Sequence, residues 1–347
     1  TEIYTLSLHD ALPILLNLAS AEDFEFAGAG REGTLTADNS WGQKHIDHIL
    51  SLDLVDRKVI EKAGFRVAVD CVNSVGGIII PQLLKALGVK SVIELYTTPD
   101  GNFPHNPEPL PENLTEIAGL VIREKADLGF VVDPDVDRLA IICEDGSMFG
   151  EEYTLVSVSD FVLHNTPGNT VSNLSSTRAL RDITEKYGCK YFPAAVGEVN
   201  VVEEMKARNA VIGGEGNGGV IYPALHYGRD ALAGIALFLT HLAKNRIRCS
   251  ELRRKYPDYF IAKKKLTLDP GTDFEDILQS VKDQFNDMDI DTRDGLRIDL
   301  PGGWFQLRKS NTEPIMRIYA EGRSADEAES LARSEERRVG KECRSRW

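Results

Sequence analysis

Apolar and polar positions along this chain repeat a two-part unit. FRVAVDCV (65–72) is a run of the buried-strand type, and after NSVGG the apolar residues of IIIPQLLKAL (78–87) take up helical spacing. SVIELYTT (91–98), ENLTEIAGLVIREKA (112–126) and LGFVVD (128–133) continue as strand, helix and strand. The rhythm returns in TVSNLSS (170–176), RALRDITEKYG (178–188), KYFPAAV (190–196), VNVVEEMKARN (199–209) and AVIGGE (210–215). DALAGIALFLTHLAKN (230–245) follows as a strong helix. Such alternation predicts a parallel sheet with helices on its faces, built twice. Upstream, HIDHILSLDLVDRKVIEKA (45–63) reads as helical, with Ile46, Ile49, Leu50 and Leu54 apolar. After KKKLTLDP the pattern changes: DFEDILQSVKDQFND is a helix, DGLRIDLPGGWFQLRKS a hairpin and PIMRIYAEG a strand. The expected fold is α/β, with repeated three-layer α/β/α domains and a smaller C-terminal α+β domain. Linkers near 152 and 263 divide it into segments 15–60, 61–152, 153–263 and 264–332.

The two ends break the pattern. Residues 1–14 and 333–347 are what the two strands of one synthetic sequencing-adapter DNA would encode, so both are set aside from fold reasoning. The expectation is a gene fragment, Leu15 to about Ala332, cut at both ends. Net charge is −14, which argues against binding nucleic acid or an anionic membrane through overall charge. Any anionic ligand must then be held by local Arg, Lys or backbone N–H groups. No apolar run reaches the roughly 20 residues that span a bilayer. Cys71, Cys143, Cys189 and Cys249 are scattered with no CxxC, the usage of reduced thiols in a cytoplasmic protein.

Three motifs carry candidate chemistry. In VVDPDVDRLAII, Asp133, Asp135 and Asp137 alternate at the carboxyl end of a predicted strand, where open α/β sheets place ligands. Three hard oxygen donors suit Mg²⁺; the plain alternative is a solvated acidic turn with Arg138 as counter-ion. In GGEGNGG (213–219), glycines let the backbone approach a ligand, and Glu215 and Asn217 offer a carboxylate and an amide to hydroxyls, flanked by Gly216 and Gly218. That suits a sugar ring better than a phosphate; the alternative is a turn chosen for positive φ. In RKSNTEPIMR (308–317), Arg308, Ser310, Asn311, Thr312 and Arg317 cluster phosphate-gripping donors, or else form an ordinary polar hairpin. PHNPEPL (104–110) has no Ser or Thr before its His-Asn-Pro, and His226 reads as a loop histidine without a catalytic role.

The joint presence of DPDVDR, GEGNGG and RKSNTEP resembles the α-D-phosphohexomutase superfamily, which includes phosphoglucomutase/phosphomannomutase and phosphoglucosamine mutase enzymes. The resemblance covers Leu15 to Ala332. It implies a remnant of a first domain in 15–60, followed by domains two, three and four carrying the metal, sugar and phosphate loops. It implies Mg²⁺ on the three aspartates, Arg138 near the transferring phosphoryl, and a phosphoserine exchanging phosphate with a sugar monophosphate, primed by a hexose 1,6-bisphosphate. The family's serine lies in a T-A-S-H-N-P-type loop, and no such loop occurs here, so this chain by itself is expected to be inactive. Glu198, after Gly197, stands where relatives carry a general acid/base candidate, and Gly219 and Asn217 depart from the residues of many relatives, leaving mannose, glucose and glucosamine phosphates open. Two other readings are a non-catalytic sugar-phosphate-binding fragment and a metal-dependent sugar phosphatase. The sequence leaves monomer and dimer equally open.

Overall fold

The structure is a computed structural model that describes residues 8–22, 24–267, 273–309 and 315–344. The chain divides into two compact units, Thr1–Trp41 and Gly42–Trp347. The first holds helix α1 (Leu8–Ala21), and its described residues 24–40 lie outside any helix or strand. The second begins within α2 (Trp41–Leu50) and α3 (Arg57–Ala63). These two cover the stretch expected as one helix. The break follows from Asp56, whose carboxylate accepts from the Val59 N–H and caps α3, a contact worth about 1 kcal/mol.

The first sheet is built from β1 (Arg66–Asp70), α4 (Gly76–Ala86), β2 (Ser91–Leu95), α5 (Thr115–Glu124), β3 (Leu128–Val132) and β4 (Leu139–Cys143), in strand order β2-β1-β3-β4. β1, β2 and β3 run parallel, as the alternation requires, whereas β4 is antiparallel to β3. Residues 133–138 are too short for a crossover, so the chain returns beside itself as a hairpin. The second sheet repeats the plan with α6 (Glu151–Asn165), β5 (Thr170–Asn173), α7 (Ala179–Lys186), β6 (Tyr191–Ala194), α8 (Glu198–Arg208), β7 (Ile212–Glu215) and β8 (Gly219–Ile221), in order β6-β5-β7-β8. β8 again folds back antiparallel on β7. Both candidate loops are therefore hairpin turns at the carboxyl ends of parallel strands.

α9 (Ala231–Asn245) and α10 (Cys249–Arg253) close this part. One apolar core runs from Ile46 to Tyr259 and takes side chains from both sheets, with α9 almost wholly buried between them. The remaining residues form an antiparallel sheet, β9 (Phe260–Thr267), β10 (Asp289–Asp291), β11 (Leu296–Asp299), β12 (Trp304–Lys309) and β13 (Ile315–Gly322), in order β10-β11-β12-β13-β9. Helices α11 (Phe274–Asp283) and α12 (Ala325–Arg344) cover its apolar face. α12 continues past Ala332, where the gene fragment was expected to end: Ala328, Ala332, Glu335 and Val339 keep a helical spacing and are buried. The three-layer α/β/α repeats and the smaller α+β domain are thus present. Among the described residues no helix is long and apolar enough to cross a membrane, and Cys71, Cys143, Cys189 and Cys249 are unpaired.

Candidate functional site

The aspartate hairpin is held from inside. Asp133 is buried, and its Oδ1 accepts from the backbone N–H groups of Asp137 (3.1 Å) and Arg138 (3.0 Å). Val136, β-branched, sits at φ +61°, a conformation that costs roughly 1–3 kcal/mol. It is retained because the side chain is buried and its carbonyl accepts from the Ala231 N–H at the start of α9 (3.1 Å). Each of Asp133, Asp135 and Asp137 offers one ligand atom, all within 4.8 Å of one another. Arg138 is a loose counter-ion, its Nε 3.4 Å from Asp133 and 3.8 Å from Asp137 and making no hydrogen bond, whereas Arg229 Nη2 pairs directly with Asp137 Oδ2. Its Nη1 lies 3.6 Å from Glu108 of the proline-rich turn.

These residues fit a hard divalent cation. The donor set is all carboxylate oxygen, and Asp137 Oδ1 is buried without a hydrogen-bond donor. Burial pushes the Asp133 carboxyl up to about 7, the Arg138 N–H opposing and Asp137 and Asp135 adding repulsion. Burial likewise raises Asp137, with Arg229 opposing. A bound cation therefore displaces a proton from Asp133 wherever the pH lies below that value. With Asp133 as a ligand, affinity for a hard divalent cation is expected to weaken as pH falls through about 7, approaching tenfold per pH unit with about one proton released. Calorimetry at several pH values, in buffers of different ionisation enthalpy, checks this; an affinity flat from about pH 6 to 8 rules out Asp133 as a ligand.

The GEGNG turn lies directly against this hairpin. Leu139 N–H donates to Gly218 O (3.1 Å), and Arg138 and Gly219 form an antiparallel bridge. Gly218, at φ +89°, must be glycine, because a Cβ would sit 2.5 Å from Leu139 O. Gly216 N–H donates to Ser176 Oγ (2.9 Å), and Asn217 Oδ1 accepts from Gly219 N–H (3.3 Å). Glu215 is buried: its Oε1 accepts from Asn173 Nδ2 (2.8 Å) and Gly197 N–H (3.3 Å), and its Oε2 from Arg229 Nη1 (2.7 Å). Glu198 is brought to the same place but is engaged, accepting from the Arg229 N–H at 2.9 Å.

The third motif stands on the antiparallel sheet. Arg308 and Arg317 are directly opposed on β12 and β13, and Lys265 on β9 is opposed to Arg317. Three cations thus share one row of one face, an arrangement unfavourable unless anions lie against it. Arg308 Nε lies 3.3 Å from Asp294 Oδ2, which accepts from Val196 N–H (3.0 Å), next to the Gly197 that binds Glu215. Ser310, Asn311 and Thr312 lie outside the described residues.

Sequence reasoning missed Arg229, Ser176, Asn173 and Lys265. It also passed over Asp230, the N-cap of α9, which accepts from Ala233 N–H, His45 Nε2 (2.8 Å) and His226 Nε2 (3.0 Å). Burial pushes the Asp230 carboxyl up, but the bonds from His226, His45 and Ala233 outweigh it and hold it well below the usual range. His226 Nδ1 accepts from the Gly228 N–H, so its Nε2 carries the proton given to Asp230.

Comparison with known proteins adds an independent line. Sequence models of the phosphoglucomutase/phosphomannomutase α/β/α domain II, α/β/α domain III and C-terminal domain match residues 43–146, 150–259 and 260–338. A probable phosphoglucosamine mutase of Methanopyrus kandleri is 30% identical over 89% of this chain and 68% of its own length. A phosphoglucomutase/phosphomannomutase of Thermococcus kodakarensis is 36% identical over 79% of this chain, which spans 60% of that relative. A phosphoglucomutase/phosphomannomutase family protein of Burkholderia thailandensis superposes with a TM-score of 0.81 at 27% identity, covering 96% of this chain and 70% of that one.

Proposed function

Because this chain belongs to the phosphoglucomutase/phosphomannomutase family, we propose that it supplies the metal, sugar and phosphate sites of a cytoplasmic phosphohexomutase that interconverts hexose or hexosamine 1- and 6-phosphates. The observation that carries this reading is the contact between the two hairpins: Leu139 N–H on Gly218 O fixes a carboxylate cluster beside Glu215 and Asn217. Asp133, Asp135 and Asp137 would hold Mg²⁺, which, when bound, neutralises charge on a phosphoryl group in transfer. Glu215 and Asn217 would accept from and donate to sugar hydroxyls. The row of Arg308, Arg317 and Lys265, with Ser310, Asn311 and Thr312, would hold the phosphate that is not transferred. Fixing that phosphate while the sugar ring reverses would let either hydroxyl reach the transferring group. Arg138 would stand beside that group, and Glu198 would act through Arg229 rather than as a free base.

The phosphoryl carrier itself would come from a family first domain with its serine loop, and a hexose 1,6-bisphosphate would prime it. Supplied with that primer and glucose 1-phosphate, the 347-residue chain is expected to form no 6-phosphate. Joined to a first domain carrying a phosphorylatable serine, it should convert one to the other. Asp135→Asn should then lower turnover by about a hundredfold or more. Turnover by the unjoined chain above its own Asp135→Asn control, or an unaffected joined variant, overturns the reading.

A further inference from the structure

Arg229 stands where the carboxylates of the site converge. Its Nη2 pairs with Asp137 Oδ2, and its Nη1 donates to Glu215 Oε2 at 2.7 Å. Its Nε lies 3.5 Å from Glu198 Oε2 and is buried without a hydrogen bond of its own. One arm of the guanidinium thus holds a carboxylate of the aspartate hairpin, and the other holds a carboxylate of the glycine-rich hairpin. Glu215 Oε1 is already filled by Asn173 and Gly197. A sugar hydroxyl reaching Glu215 must therefore use Oε2, the atom that Arg229 grips. Asp137 has the complementary arrangement, with Oδ2 on Arg229 and Oδ1 buried and undonated.

We propose that Arg229 is a positioning residue that makes cation binding at the aspartate hairpin and sugar binding at the glycine-rich hairpin interdependent. This rests on the site reading above. A divalent cation on Asp137 competes with the guanidinium for one carboxylate's charge. The guanidinium, released in part from Asp137, tightens on Glu215 and fixes the oxygen that meets the sugar. The backbone bridge between the hairpins carries position but no charge, so it cannot replace this link. Lys cannot replace it either, because a single ammonium does not span two carboxylates as a planar fork does.

The test uses the whole 347-residue chain and calorimetric dissociation constants for glucose 6-phosphate and inorganic phosphate, each with and without Mg²⁺. In the unaltered chain Mg²⁺ should tighten glucose 6-phosphate about fivefold or more, with inorganic phosphate much less affected. In Arg229→Met and Arg229→Lys both ligands should still bind, but the Mg²⁺ effect on glucose 6-phosphate should fall to about onefold. If Arg229→Met fails to fold, Arg229→Lys, which keeps the charge, carries the test. Binding of Mg²⁺ and sugar phosphate without mutual effect in the unaltered chain overturns the inference and leaves the site reading standing. So does a full effect retained in the folded variants, which would assign the coupling to the backbone bridge. Absence of Mg²⁺ or sugar-phosphate binding in the unaltered chain overturns the site reading, and this inference with it.

Discussion

Replacing Arg178 with Met is expected to cost about 3–5 kcal/mol of stability and to loosen the antiparallel domain from the sheet beside it. Arg178 precedes α7 and is 7% exposed. Its Nη2 donates to Asp299 Oδ1 (2.9 Å) and Gly303 O (2.5 Å), its backbone N–H donates to Glu321 Oε2 (3.2 Å), and its Nε lies 3.4 Å from Glu321 Oε1. Asp299 keeps Arg297 and Arg181 when Arg178 is removed, but Glu321 is fully buried and loses its nearest cation. Burial already raises the Glu321 carboxyl, against Thr177, Arg297 and Arg178. Without Arg178 it rises further, and the mutant escapes part of the penalty by taking up a proton. The loss should therefore be greatest above neutral pH and shrink toward acid. Arg178→Met with Glu321→Leu should recover much of the single loss, since two apolar groups leave no stranded charge. Urea unfolding of the two singles and the double as a function of pH measures this. A single-variant loss below about 1 kcal/mol would mean that the pair does not hold the domain.

Much of this site was legible because strand ends and carboxylate spacing are local signals. The alternating aspartates after LGFVV, and the glycines around Glu215, announce turns at the ends of buried strands before any tertiary contact is known. What remained hidden is what other parts of the chain bring to those turns. Arg229 lies 92 positions after Asp137 in a loop whose histidine draws attention, and its meaning exists only once α9 is docked. Lys265 becomes part of a cationic row only when β9 pairs with β13. α6 was missed for a different reason. It is buried nearly all round, so it shows no amphipathic stripe, and it carries Thr154, Ser157 and Ser159 into the core. Thr154 is accommodated by donating to Leu139 O (2.8 Å), a partner that no reading of periodicity supplies. The antiparallel return of β4 was available in principle, because the few residues of DPDVDR cannot cross a sheet.

Phe238→Ala is expected to remove about 3–5 kcal/mol, because it empties the position at which the two α/β units share a core. Phe238 is fully buried on α9. Its ring meets Phe130 of β3 edge to face at 6.1 Å and Phe149 at 5.2 Å, and Phe149 in turn packs on Tyr256 at 6.4 Å. Phe130 lies three residues before Asp133, and α9 begins at the residue after Asp230, itself next to Arg229. The same aromatic contact therefore sets the depth of the strand that presents the aspartates and of the helix whose start presents Arg229. Phe238 stands edge to face against both Phe130 and Phe149, so cutting it back leaves a ring-sized space whose apolar walls give water no partners. Phe238→Leu, which keeps most of the volume, should cost under about 1.5 kcal/mol. Benzene should raise the melting temperature of Phe238→Ala while leaving the unaltered chain and Phe238→Leu unchanged. If the walls collapse inward, the loss should fall to the lower end of the range and benzene should have no effect. A loss below about 1.5 kcal/mol without benzene rescue would show that the two units do not depend on this contact for a common core, and that the hairpins are placed by their own direct contacts.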